Sequence, residues 1–331
     1  MTEQKDKNLG RRQFLTRAGK AGVSIAAAGF ASYLLYDPKG PPRQAVKAEQ
    51  LVTLPDFSVP HKAGDTISIV EGPDRKQTIT KAIELLGGIE RFVKQGETVA
   101  IKPNVAFARP PMLGSTAHPE LVAAVVELCR KAGAKLVYVT DNPIDASASC
   151  FTLSGIRKAA SAAGAKVILP KAHHFKHTTL EGGKLIKNWP IFFGPFEKID
   201  KLIGIAPVKH HARAGASMSM KNWYGLLGGR RNIFHQDINT IIAELSMMVK
   251  PTLVILDGTE VMITNGPTGG SVSDLKRANT LIASCDMVAA DSYGCTLLGL
   301  KPPDLPYLAK AQTAGAGETN YEALKPVLGT V

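Results

Sequence analysis

From Asp65 onward, short apolar runs alternate with stretches of helical spacing, and this rhythm constrains the fold more than any other feature of the chain. The runs are Thr66 to Val70, Thr98 to Ile101, Lys135 to Val139, Val167 to Leu169, Leu202 to Ala206, Thr252 to Leu256 and Thr280 to Ala283. Nearly continuous in Val, Ile, Leu and Ala, they read as strands covered on both faces, the pattern of parallel sheets. Between them, Pro119 to Ala132 and Ser154 to Ala163 carry helical spacing and stop at Gly133 and Gly164, where glycine takes the left-handed cap. Ile238 to Val249 and Met287 to Leu298 read as later helices. The expected fold is α/β, a largely parallel open sheet flanked by helices. The rhythm breaks near 171–198, where His173, His174, His177, Gly182-Gly183, Trp189, Phe192, Phe193 and Phe196 suggest an insertion or a small antiparallel subdomain.

In an open α/β sheet, ligands bind beyond the carboxyl ends of the strands, where loops converge. Four of the predicted strands run into polar residues there: Lys102-Pro103-Asn104, Thr140-Asp141-Asn142, Lys209-His210-His211 and Asp257-Gly258. One shared polar cleft is the simplest reading. Asp141 and Asp257 equally suit caps of the following turns, since Asp accepts backbone N–H bonds. His210 and His211 point to opposite sides of an extended backbone, so at most one faces the cleft. Thr116 and His118 precede Pro119, where they suit either a helix cap or chemistry.

The stretch Thr264-Asn265-Gly266-Pro267-Thr268-Gly269-Gly270-Ser271 is a glycine-rich loop of the kind that presents successive N–H groups to an anion, or else a tight turn without a ligand. It is neither a Walker loop nor GxGxxG. Ser217 to Gly229 reads as a short helix with a glycine stop, in which Lys221 and Asn222 are candidates to anchor an anion and Trp223 is expected to pack in the core. His173-His174-x-x-His177 lacks the carboxylate of a zinc motif and reads as a solvated loop. No Ser-His-Asp triad is legible.

Cys129, Cys150, Cys285 and Cys295 form no CxxC pair, which argues against a disulfide scaffold and an iron–sulfur cluster. The formal charge of +12 owes much to the N-terminal fifty residues, and no aromatic-studded basic stripe marks a nucleic-acid binder. Small anions suit the remainder better.

The N-terminal segment has its own logic. A basic start leads through Arg11-Arg12-Gln13-Phe14-Leu15 into an apolar stretch from about Ala21 to Tyr36. Arg11, Arg12, Phe14 and Leu15 mark a twin-arginine (Tat) export signal, read by the Tat translocase. The domain plan is therefore a signal over 1–36, a Pro/Lys-rich linker over 37–62 and an α/β domain over 63–331. The expected location is the periplasm, with a membrane tether as the alternative if the segment stays uncleaved.

From about Ile101 to Leu300 the chain resembles the bacterial and archaeal family labelled domain of unknown function 362. The resemblance rests on Lys102-Pro103-Asn104, Thr116 to Glu120, Asp141-Asn142-Pro143, Pro207 to His211, Met220 to Gly225, Asp257-Gly258, Asn265 to Gly270 and Cys285 to Asp291. It implies a shared site and supplies no reaction. Some members carry a ferredoxin-like cluster domain, whose cysteine pattern is absent from this sequence.

The combined expectation is an enzyme or enzyme-like accessory factor that handles a small anionic ligand. Lys102, Asp141, Lys209, His211 and Asp257 are its candidate catalytic residues, and Asn104, Thr116, His118, Lys221, Asn222, Asn265, Gly266, Gly269 and Gly270 its candidate ligand-binding residues. Asp141 and Asp257 together suit a divalent metal ion, or act as acid and base, while one histidine carries protons. The alternative is a non-catalytic binding or assembly protein, a chaperone or scaffold for exported redox enzymes.

Overall fold

A computed structural model describes residues 11–35 and 51–331. The residues before Arg11 and the stretch 36–50, with most of the predicted linker, lie outside the described residues. Contacts divide the chain into 1–49 and 50–331. In the first unit Arg11–Leu35 is one helix, with Arg11, Arg12, Phe14 and Leu15 exposed. No described helix is long and apolar enough to cross a membrane.

In the second unit each predicted run is a strand. In chain order the strands are β1 (Ile67–Glu71), β2 (Thr98–Pro103), β3 (Leu136–Thr140), β4 (Lys166–Ile168), β5 (Phe175–Thr178), β6 (Trp189–Phe192), β7 (Lys201–His211), β8 (Gly215–Ser217), β9 (Leu253–Met262), β10 (Leu275–Ser284) and β11 (Val327–Thr330). Among the described residues one sheet runs β11-β1-β10-β9-β7-β2-β3-β4, with β8 paired on β7, while β5 and β6 form a separate antiparallel pair. The block β9-β7-β2-β3-β4 is parallel. β10 runs antiparallel to both neighbours because only a loop, with no crossover helix, joins it to β9.

Alternation along the strands supplies two apolar layers. Val99, Ile101, Ile203, Ile205, Leu253 and Ile255 pack with the helices Arg75–Leu85, Pro119–Lys131 and Ile156–Ala162. Ala100, Leu202, Val254 and Leu256 pack with the helices Ile238–Met248, Met287–Leu297 and Pro306–Thr313. Each fully buried aliphatic side chain contributes roughly 1.5–3 kcal/mol. Trp223 is fully buried on this second layer, and its ring lies so close to Gly204 that a Cβ there would sit 2.8 Å from it. Asp286 caps the helix Met287–Leu297 by accepting from Val288 N at 2.8 Å and Ala289 N at 3.0 Å.

Two boundaries differ from expectation. Lys209-His210-His211 forms the last three residues of β7 rather than following it, and β9 passes Asp257-Gly258 to reach Met262, so Asp257 does not mark the end of its strand. The described end of the predicted linker packs on the domain: Leu54, Phe57 and Val59 are buried, and Phe57 N donates to Lys250 O at 2.9 Å.

Candidate functional site

Lys102 follows Ala100 on the same side of β2 and is completely buried. Its Nζ lies 2.7 Å from Asp141 Oδ1 and donates to Asn222 Oδ1 at 2.8 Å. Asp141 also accepts from Asn142 N at 2.9 Å and Val105 N at 2.8 Å. Asn222 Nδ2 donates to Lys102 O and Ile205 O at 3.1 and 3.3 Å. The trio thus ties the ends of β2 and β3 and the middle of β7 to the short helix Ser219–Asn222. Burial pulls the Lys102 ammonium below its ordinary range, and Asp141 opposes that pull. Gly225 closes over this pair: a Cβ there would collide with Asp141 Oδ1 and lie 2.9 Å from Lys102 Nζ.

The short helix is itself anchored. Asp291, fully buried, accepts from Ser219 N at 2.8 Å and Met220 N at 3.1 Å and from the Ser219 hydroxyl. Burial pushes its carboxyl up to about 7 in spite of these donors.

Beside the trio is a cavity of about 320 Å³ lined by Asn104, Asp141, Lys209, His211, Lys221 and Asn222, among others. Lys209 Nζ is buried without a carboxylate of its own. It donates to Asn104 Oδ1 at 3.0 Å and Ser115 O at 2.6 Å, and the Phe107 ring lies 5.4 Å away. Burial, then the neighbouring charge of Lys221, draws its pKa down to about 7. The Lys221 ammonium makes no hydrogen bond or ion pair among the described residues and lies over the Tyr224 ring at 5.1 Å. Burial lowers its pKa to about 8.

His211 Nδ1 accepts from Arg213 N and Ala214 N, both at 3.2 Å. Its single proton therefore sits on Nε2, which makes the ring a donor. Burial and the charges of Lys221 and Lys209 depress its pKa to about 3, so the ring is neutral near pH 7. With Nδ1 held by these backbone donors, His211 presents its Nε2–H as a hydrogen-bond donor at the cavity it lines. His210 points away, as alternation requires, and its Nδ1 accepts from Gly266 N at 3.2 Å.

Sequence reasoning missed Arg231 and His235, which also line the cavity. Arg231 Nη1 donates to Asn142 O at 3.0 Å and Nη2 to Pro143 O at 2.7 Å, stitching the Asp141 loop to the segment after the short helix. His235 lies 6.2 Å from the His211 ring in a stacked arrangement, with Nδ1 3.0 Å from Tyr224 Oη. Only the Arg230-Arg231 pair after Gly228-Gly229 hinted at this segment.

The remaining expected residues lie elsewhere. Asp257 does not line the cavity: its Oδ2 accepts from Arg75 Nε at 2.7 Å and its Oδ1 from Thr259 N at 3.0 Å. The shared Asp141 and Asp257 metal or acid–base site is therefore corrected, because each carboxylate is consumed by a different cation. Among the described residues no group of three His, Cys, Asp or Glu side chains is placed to hold a metal. Thr116 Oγ1 is buried without a partner. His118 occupies the N-cap position of Pro119–Lys131 without capping it, beside Glu120 and outside the cavity. The glycine-rich loop turns its amides inward: Gly270 N and Ser271 N donate to Asp274 Oδ2 at 3.0 Å, Asn265 Nδ2 donates to Asp274 Oδ1 at 2.6 Å, and Gly269 N donates to Asn265 O. Asn265, Gly266, Gly269 and Gly270 do not line the cavity; of this loop only Pro267 and Thr268 reach it.

The family model for the domain of unknown function DUF362 matches residues 99–296. The chain belongs to this family. Every residue lining the cavity falls inside the matched range. A thylakoid-associated protein of Synechocystis is 29% identical over 258 residues, 74% of this chain and 76% of the relative. Among solved structures, the lactate racemase apoprotein of Thermoanaerobacterium thermosaccharolyticum is similar at a TM-score of 0.42 and 14% identity, over 76% of this chain. A Thermotoga maritima protein is similar at 0.39 and 12%, over 69% of this chain. The chain spans 60% of the length of each of these two structures.

Proposed function

We propose that this member of the family is an enzyme, or an enzyme-like accessory factor, that binds a small anion in the cavity beside the Lys102–Asp141 pair. One observation carries the reading: Lys221 and Lys209 face the cavity without carboxylate partners, while the carboxylate that lines it, Asp141, is held by Lys102. Leaving the Lys221 cation desolvated and unpaired is costly, and an anion in the cavity relieves that cost. Lys221 Nζ, the His211 Nε2–H and the Asn104 amide, whose oxygen already serves Lys209, supply the donors. Isothermal calorimetry with inorganic phosphate, acetate and 2-hydroxybutanoate tests this. Saturable binding of at least one that weakens as pH rises through the lysine range supports it, and the absence of binding by all three removes it.

We further propose export by the twin-arginine route and action outside the cytoplasmic membrane. Arg11 and Arg12 followed by the apolar Phe14 and Leu15 support this. Replacing both arginines with lysine is expected to retain the protein in the cytoplasm, and unchanged export would overturn the reading.

A further inference from the structure

We propose that Lys209 is a nucleophile that captures the carbonyl carbon of a small 2-oxo carboxylate as an imine. The inference deepens the anion-binding reading above and rests on it.

Three features of the geometry single out this lysine. Lys102 is unsuited, because its ammonium is locked by Asp141 and Asn222 and does not line the cavity. Lys221 keeps a higher pKa and has no acceptors to orient its nitrogen, which suits a point charge holding a carboxylate. Lys209 has two acceptors, Asn104 Oδ1 and Ser115 O, which satisfy the two hydrogens of a neutral amine. The remaining position on its nitrogen is then a lone pair, on a side chain that lines the cavity. The groups facing it are Lys102, Asp141, Lys221, His211, Arg231 and His235, in which cations outnumber the one carboxylate. Burial and neighbouring cations draw this amine to about 7, so a large share of it is neutral near physiological pH, which activates a lysine toward carbonyls.

The step balances without any further reactant. The Nζ lone pair attacks the carbonyl carbon. One amine proton moves to the carbonyl oxygen, giving a carbinolamine, and the second passes to the new hydroxyl as the C–O bond breaks, releasing one water and leaving a neutral C=N bond to Lys209. The substrate carboxylate lies toward Lys221, and the His211 Nε2–H is a donor for the carbonyl oxygen as charge builds on it. A 2-oxo carboxylate is the ligand class that uses both halves of the cavity, the anion anchor and the amine.

The test treats the full chain with pyruvate or 2-oxobutanoate in the presence of borohydride, followed by intact mass and peptide mapping. The expected result is one reduced 2-oxo acid per chain, on Lys209, with yield rising from about pH 6 to about pH 8 as the amine loses its proton. Excess 2-hydroxybutanoate, which offers the carboxylate without the carbonyl, is expected to suppress it. This readout needs no variant, so it does not depend on how a substituted core folds. Lys209→Arg, checked for folding by circular dichroism, is expected to give no adduct. Binding of 2-hydroxybutanoate without any adduct on Lys209 overturns the imine and leaves the anion site standing. Neither binding nor adduct overturns both. Adducts confined to exposed lysines and indifferent to 2-hydroxybutanoate overturn the imine.

Discussion

Two polar clusters on the same sheet look alike in sequence and behave in opposite ways. Around β2, β3 and β7, Lys102 and Asp141 neutralise each other and leave Lys209 and Lys221 unmatched at the cavity. Around β9, Asp257 meets Arg75, Arg75 also approaches Glu260 at 3.5 Å, and the nearby glycine-rich loop closes on Asp274. The second cluster spends its charges internally. Polar residues near strand ends are therefore not a site in themselves. What distinguishes one is charge left uncompensated beside a cavity.

The strongest blow to this contrast is Asp141→Ala. It strands the Lys102 ammonium in a dry environment and is expected to destabilise the fold by about 3–5 kcal/mol, read by urea denaturation. Asp257→Asn should cost less, about 1–3 kcal/mol, because the Arg75 side chain keeps 11% exposure and a second carboxylate. Equal losses would erase the distinction.

Lys221→Met sharpens the comparison from the other side. Removing a desolvated cation that has no partner should leave stability unchanged or raised, while weakening anion binding about 10- to 100-fold, the worth of one charge-assisted contact. Calorimetry on Asp257→Asn is the matched control and should show an affinity within about twofold of the parent.

A third prediction concerns pH. The ordinary lysine value is 10.5, and Lys209 sits at about 7 in the fold. Between those values the unfolded chain holds a proton that the folded chain has released, so stability rises as pH rises through the window, by up to about 1.4 kcal/mol per unit. Cys129, Cys285 and Cys295 are pushed the other way, to about 12 from 9.0, and oppose the trend above that ordinary value. Denaturation between about pH 7 and about pH 9 should show the rise, and Lys209→Met should reduce it, leaving above about pH 8 the same-sign contribution of Lys221. His211 acts with the same sign lower down, its pKa falling from 6.5 to about 3, so its contribution is lost as pH drops below 6.5, while Asp291, raised from 3.8 to about 7, acts oppositely over the same window. Bound anion should weaken the Lys209 dependence by restoring its proton.

The strands were legible because burial on both faces demands unbroken apolar runs, and each run is only a few residues long. Lys102, Asn104, Asp141, Lys209, His211, Lys221 and Asn222 were legible for a related reason: polar side chains directly after such runs, or among buried helical residues, need partners. Asp257 broke the inference. Its partner Arg75 stands at the start of a helix that was not anticipated and 182 positions away, so no local pattern announced the pairing. Asn265, Gly266, Gly269 and Gly270 misled because a glycine-rich loop looks the same whether its amides face a ligand or the loop's own Asp274. Arg231 and His235 lie in a short irregular segment, where periodicity carries no signal.

By itself the sequence determined the layered architecture, since apolar periodicity is a local consequence of which faces must leave water, and it nominated the lysines at the strand ends. Only the tertiary structure decided which charges cancel. Pairing depends on distances of a few ångströms between segments far apart in the chain, and on backbone donors such as those that fix the His211 proton on Nε2.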